Sequence, residues 1–239
     1  EDIEKLKPAT EKLEYVYEGV RKIRAKLDTS KALIGFAGSP WTIATYMVEG
    51  RGSKQYPKIK KMVYANPETL HKLLEVNTKE TIGYLKSQIK AGANAVMVFD
   101  SWGGALEKDK FFEFSWNYMK QIATSIKSEY PEIPVILFSK GTGLYLENMV
   151  DGDFDVIGID WNTPIEYAEN IVNGRKTIQG NMDPTRLYSK EATKEAVEYI
   201  AKVMKNKPHI FNLGHGILPD TDWENVKYFV DLVKEVTSR

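Results

Sequence analysis

Short apolar runs separated by longer amphipathic stretches recur along almost the whole chain, and their periods assign the elements. Residues 3–27 are highly charged, with Leu13, Val16, Val20, Ile23 and Leu27 three or four apart, which predicts one apolar face of a surface helix. The run at 32–37, ending in Gly38, reads as a fully buried strand. Helical periodicity over 69–90, stopped by Gly92, leads into a second apolar run at 95–99. A helix over 110–128 leads into a third run at 134–138, and runs at 156–160, 176–179 and 209–212 follow. Helical patterns at 165–172, 191–204 and 223–236 lie among these later strands.

Six apolar strands separated by helical sequence predict parallel pairing through right-handed crossovers. The fold class expected is α/β, a (β/α)8 TIM-type barrel over residues 1–239 as one domain. Six strands are two short of eight, and the chain opens at Glu1 in helix-like sequence without a Met, so the first two βα units are expected to be missing. Polar, glycine and aromatic residues stand directly after the strands: Ser39-Pro40-Trp41, Asp100-Ser101-Trp102, Lys140-Gly141, Asp160-Trp161, Asn181 and His215. In a β/α barrel such positions converge on one mouth. The loop Gly50-Arg51-Gly52-Ser53-Lys54 reads as an active-site lid or a plain surface turn. No GxGxxG fingerprint opens the first βα turn, which leaves a dinucleotide-binding sheet unsupported.

Composition narrows the function. Lys+Arg and Asp+Glu both number 33, a balance that argues against nucleic-acid binding driven by counterion release. With no cysteine, disulfides, zinc-thiolate sites, iron–sulfur clusters and cysteine nucleophiles are excluded. No apolar run approaches the roughly 18 residues that cross a bilayer, so no membrane association and a cytoplasmic setting are expected.

Several residues are chemical candidates. Trp41 and Tyr46 lie five apart, about 140° around a helix, so packing accounts for one of them more easily than for both. Asp100 and Ser101 follow a wholly apolar strand and cannot both face a packed interior without partners; one or both are expected at the mouth, and Ser101 can alternatively cap the next helix. His71, within a helix, and His209, opening a strand, read as structural. His215 sits between two glycines after the last strand, where glycine permits positive φ and close approach to a ligand. Lys140 can pair an anionic substrate or be a surface lysine, and Gln179 and Asn181 offer amides. Asp183-Pro184 reads as an N-cap followed by a first-turn proline. Metal motifs, a Walker A loop and a GxSxG elbow are absent.

Taken in order, these loops resemble those of the uroporphyrinogen decarboxylase family. LIGFAGSPWTIATYMVEG is similar to its long signature, and FDSW, FSKG, GIDW, QGNMDP and NLGHGILPDT are similar to its later strand-end motifs. The resemblance implies a cofactor-independent, metal-free carboxy-lyase, homodimeric, removing CO2 from the four acetate side chains of uroporphyrinogen III to give coproporphyrinogen III in haem biosynthesis. It further implies that Tyr46 stands near the reacting acetate, that Ser101 hydrogen-bonds substrate carboxylate, that Phe99 lines the cleft, and that His215 contacts a substrate side chain. The family's arginine-rich N-terminal motif, and its aspartate for the pyrrole N–H groups, have no counterpart here. The chain is therefore expected to be a truncated, inactive or nearly inactive form of an active parent. The alternatives are a zinc-type methyltransferase of the same superfamily, disfavoured by the absence of cysteine, a non-catalytic tetrapyrrole-binding fragment, and a phosphate-binding sugar barrel, of whose Gly-rich anion nest NLGHG is a faint version.

Overall fold

Strands and helices alternate along the chain in a computed structural model, which describes residues 3–50, 52–53 and 55–238. Arg51 and Lys54 of the loop read as a lid or a plain surface turn lie outside the described residues. The chain divides into two compact units, residues 1–139 with 152–155, and residues 140–151 with 156–239.

The first unit holds strands β1 (Ile34–Gly38), β2 (Ala95–Asp100) and β3 (Val135–Ser139), parallel and in sequence order. The helix Pro67–Lys90 crosses from β1 towards β2. A helical stretch Lys108–Glu129, with a π-helical turn at Phe112–Trp116 between its α-helical parts, connects β2 to β3. Val96, Val98, Val135, Ile136 and Leu137 of the strands and Leu70, Leu74, Leu85, Met119, Ile122 and Ile126 of these helices are all buried. That burial is the main stabilising contribution, about 1.5–3 kcal/mol per large aliphatic side chain.

Three expectations need correction in this unit. β1 is not fully buried: Gly35 and Ala37 face inward, while Ile34 and Phe36 are 40% and 60% exposed. Successive strand side chains point to opposite faces, and only one face of β1 packs on a helix. There the side-chain amide of Gln88 accepts from Phe36 N at 3.1 Å and donates to Phe36 O at 3.1 Å. Gly35 leaves the room for it, since a Cβ at 35 would come within 2.8 Å of Gln88 Oε1. The opening helix spans Glu14–Lys26, with short 3₁₀ turns before it on either side of Pro8. Its buried residue is Tyr17, whereas Ile23 of the expected apolar face is exposed. The helix Pro57–Ala65 was not expected; Glu49 caps it by accepting from Lys58 N and Ile59 N, and Ile59 and Val63 are buried.

The second unit holds β4 (Val156–Gly158), β5 (Thr177–Met182) and β6 (His209–Leu213), again parallel and in sequence order. Helices Ile165–Val172, Lys190–Val203 and Trp223–Thr237 cross between and after them. The N-caps are those the sequence supplies: Asp183 accepts from Thr185 N ahead of Pro184, Ser189 from Ala192 N, and Asp222 from Glu224 N. β4 is buried throughout, and β5 nearly so, but β6 is half-exposed along its length. In each unit, parallel strands in chain order joined by helical crossovers give the α/β architecture expected of a TIM-type barrel.

Candidate active site

In the first unit the strand-end chemistry is built around Asp100, the last residue of β2, which is fully buried. Its carboxylate accepts from Thr42 Oγ1 at 2.8 Å, Trp102 N at 3.0 Å, Ser115 Oγ at 2.5 Å and Ser139 Oγ at 3.4 Å. Asp100 therefore does not project to a mouth; it finds the buried partners that its burial demands. Burial holds its carboxyl above the usual aspartate range, against the lowering effect of the Ser115, Thr42, Trp102 and Ser39 hydrogen bonds. The π-helical turn delivers Ser115 to this carboxylate. Ser39 caps Pro40–Glu49 by accepting from Thr42 N, which directs Thr42 towards Asp100.

The candidate side chains stand on this scaffold. Ser101 is half-buried, and its backbone N–H donates to Thr42 Oγ1 at 3.1 Å. The 3₁₀ turn that follows, Gly103–Ala105, has no side-chain cap, so the capping role considered for Ser101 is not realised. Trp41 is fully buried and Tyr46 is 44% exposed, as their angular separation predicts. Trp41 donates to Trp102 O at 3.0 Å, and Trp102 Nε1 donates to Tyr46 Oη at 3.1 Å. The phenol oxygen of Tyr46 thus acts as acceptor towards Trp102, and its own hydrogen is directed elsewhere. Tyr56 packs on Trp102 at 4.9 Å; its buried phenol is pushed up to about 12 by burial, then by Tyr46 and Glu49. Phe99 turns to the opposite face from Asp100, where it meets Phe36 at 6.0 Å and lines an apolar cleft of about 440 Å³ with Ile43 and Met47.

His215 belongs to the second unit, where Asp160 plays the part of Asp100. Asp160 is buried and accepts from Gly141 N at 2.6 Å, Asn162 N at 3.1 Å and Thr163 Oγ1 at 3.0 Å. Asn181 is likewise buried, and its amide donates to Asp160 O and Thr163 O, so this amide serves the turn. Gly214 packs against the same turn: a Cβ there would overlap Trp161 N and lie 3.0 Å from Asp160 C. That close approach, and not positive φ, is what glycine provides beside His215; Gly216 meets nothing within 4 Å. His215 is exposed, lies edge-on to Trp161 at 6.5 Å, and titrates below its usual value through desolvation and then the nearby Lys140, with Asp160 opposing. Lys140 Nζ stands 4.9 Å from the centre of the Trp161 ring.

The two remaining histidines are structural, as expected. His71 bonds Tyr118 and Glu113 and stacks on Phe114, and His209 Nε2 bonds Gly180 O at 2.8 Å. The sequence pointed to Trp102 and Trp161 without revealing their roles. The shared signal was an aromatic residue immediately after the strand-end aspartate or one further on. Among the described residues no group of three or more His, Cys, Asp or Glu could hold a metal ion, and no helix is long and apolar enough to cross a membrane.

Comparison with known proteins gives one answer. The profile of the uroporphyrinogen decarboxylase (URO-D) family matches residues 1–236. The chain is 72% identical to the uroporphyrinogen decarboxylase of Nautilia profundicola over 240 residues, all of this chain and 70% of that protein. It is 59% identical to that of Campylobacter jejuni, covering 100% of this chain and 71% of the relative. It is 57% identical to that of Helicobacter pylori, covering 97% and 68%. Among solved structures, a methyltransferase from Methanosarcina mazei superposes with TM-score 0.81 at 21% identity, over 94% of this chain and 65% of that one. A B12-independent methionine synthase from Shewanella superposes with TM-score 0.66 at 12% identity, over 93% and 66%. At such identities the two structures speak for the barrel-type fold alone. The sequence matches carry the assignment: this chain is a member of the uroporphyrinogen decarboxylase family.

Proposed function

We propose that this chain carries strand-end machinery of a uroporphyrinogen decarboxylase, acting as a single barrel domain on uroporphyrinogen III and releasing coproporphyrinogen III and CO2. The observation that supports this most is the unbroken match over residues 1–236 to relatives bearing that name. The chemistry asks little of a cofactor, because the pyrrole is its own electron sink. Protonation of a ring carbon makes the ring cationic, the bond from the methylene to its carboxylate breaks, and the electron pair flows into the ring as CO2 leaves. The methylene then takes a proton to become methyl while the ring proton is lost. The protein must orient the reacting carboxylate, withdraw it from water and stabilise the ring cation.

Tyr46 suits the first task, because its phenol already accepts from Trp102 and keeps its hydrogen for a carboxylate oxygen. Ser101, held by its backbone on Thr42, offers a second hydroxyl. Phe99 supplies an aromatic wall, and His215 a ring nitrogen for a peripheral carboxylate. A homodimer and a cytoplasmic location belong to the same reading; sedimentation of the intact protein should give twice the monomer mass.

The test is anaerobic incubation of the intact protein carrying this chain with uroporphyrinogen III, followed by chromatography of the oxidised porphyrins. Hepta-, hexa- and pentacarboxylate intermediates and then coproporphyrin are expected. Tyr46→Phe should slow every step by about tenfold or more, the loss of one charge-assisted hydrogen bond. Unchanged uroporphyrin would overturn the reading.

A further inference from the structure

The hydrogen-bonded strand-end aspartates leave Lys140 unexplained. It follows β3 in the sequence and is half-buried, and among the described residues its ammonium makes no ion pair; its close contact is the face of Trp161. A partly desolvated ammonium without a counter-ion is unfavourable unless something charged visits it. A cation–π contact holds the ammonium in place without neutralising it, leaving its N–H donors available. The backbone around it is fixed with care. Asp160 accepts from Gly141 N, which pins the Lys140-Gly141 turn, and the same carboxylate accepts from Asn162 N and so shapes the turn that presents Trp161. Gly214 packs on Trp161's backbone and brings His215 to the edge of the same indole. The His215 ring, 6.5 Å from Trp161, and the Lys140 ammonium, 4.9 Å from it, stand against one indole, so the two groups are near enough to act on one ligand.

We propose that Lys140, positioned on Trp161 and flanked by His215, is a carboxylate-binding subsite that grips one acidic side chain of the porphyrinogen. The proposal rests on the decarboxylase reading and adds to it a cation for a substrate that carries up to eight carboxylates. A planar guanidinium is not required for this task, because a single carboxylate oxygen directed at an ammonium suffices.

The experiment is a fluorescence titration of the intact protein with coproporphyrin III and, separately, with its uncharged tetramethyl ester. Variants Lys140→Met and Lys140→Arg are compared with the unmodified protein, each checked by its thermal melt. Lys140→Met should weaken binding of the acid by about tenfold, the worth of one charge-assisted hydrogen bond, with the ester unaffected. Lys140→Arg should keep most of the affinity, and the Lys140→Met difference should shrink in high salt. Equal affinity of Lys140→Met and the unmodified protein for the acid, or equal weakening for acid and ester, overturns the subsite while leaving the decarboxylase reading intact. Failure of the unmodified protein to bind the acid or turn over uroporphyrinogen III overturns both. Should Lys140→Met fail to fold, Lys140→Gln carries the same comparison.

Discussion

The strand end after β2 and the strand end after β4 use the same device in separate units. Each buries an aspartate that accepts from the backbone N–H two residues on and from a threonine hydroxyl: Trp102 N and Thr42 for Asp100, Asn162 N and Thr163 for Asp160. Each turn presents a tryptophan, and each tryptophan holds one polar side chain. They differ in what that side chain has left to give. Trp102 donates a hydrogen bond and thereby fixes which way the Tyr46 hydroxyl must point. Trp161 offers only its ring face, so the Lys140 ammonium spends no N–H donor on it. The carboxylates are thus scaffolding, and the groups proposed to meet the substrate stand one contact away from them, a neutral hydroxyl in one unit and a cation in the other.

Removing either carboxylate is the severest way to test this likeness. Asp100→Ala strands the hydrogens of Thr42, Ser115 and Trp102 in a dry interior and should lower stability by about 3 kcal/mol or more, read from the midpoint of chemical denaturation. Asp160→Ala should fall in the same range and additionally weaken coproporphyrin binding, since Gly141 N loses its anchor. A small stability change for either would end the claim that both are hubs.

Gly214→Ala comes next, because its new methyl overlaps the Trp161 backbone; overpacking of this kind should cost about 1–3 kcal/mol. Gly216→Ala, with nothing in its way, should stay within about 0.5 kcal/mol of the parent in the same melt. Trp102→Phe keeps a ring but removes the N–H, and should reduce kcat for decarboxylation by a few-fold, about 1 kcal/mol. Little change in KM is expected, because the contact orients a group and does not bind the substrate. If KM rises instead with kcat constant, Tyr46 is a binding group only.

The smallest effect separates the units by pH. Burial lowers the His209 pKa in the second unit, so the unfolded chain takes up its proton first on acidification. This contribution to stability is present above about pH 6.5 and is lost as pH falls through the lowered value. Asp100 runs the other way: its raised pKa means the folded state binds the proton more tightly, and its contribution improves as pH falls through that raised value towards the ordinary aspartate range. Denaturation midpoints of His209→Gln between pH 7 and 5 should slope less than those of the parent; identical slopes would remove His209 from the account.

The sequence made legible whatever depends on local period and local chemistry. Strand–helix alternation, the Asp183-Pro184 cap and the opposite fates of Trp41 and Tyr46 all follow from spacing over a turn or two. It was blind to contacts between distant segments. One or both of Asp100 and Ser101 were expected at a mouth, yet Asp100 is satisfied by residues up to 58 positions away. The burial of β1 was misjudged because an apolar run reveals composition but not what lies opposite each face. The helix Pro57–Ala65 escaped notice because Lys58, Lys60 and Lys61 outnumber its two buried positions. At His215 the flanking glycines suggested backbone freedom, where the operative fact is one glycine's lack of bulk against a neighbouring turn.

Gln88 carries a consequence for how this protein can change. By meeting both the N–H and the C=O of Phe36, its amide impersonates a neighbouring strand for the length of one residue. Only a group that gives and takes a hydrogen bond at once can do so; glutamate there would set negative oxygen against carbonyl oxygen, and leucine would offer neither. Because Gly35 vacates the space the amide occupies, a side chain at 35 would press on the Gln88 amide, and the glycine and the glutamine constrain one another.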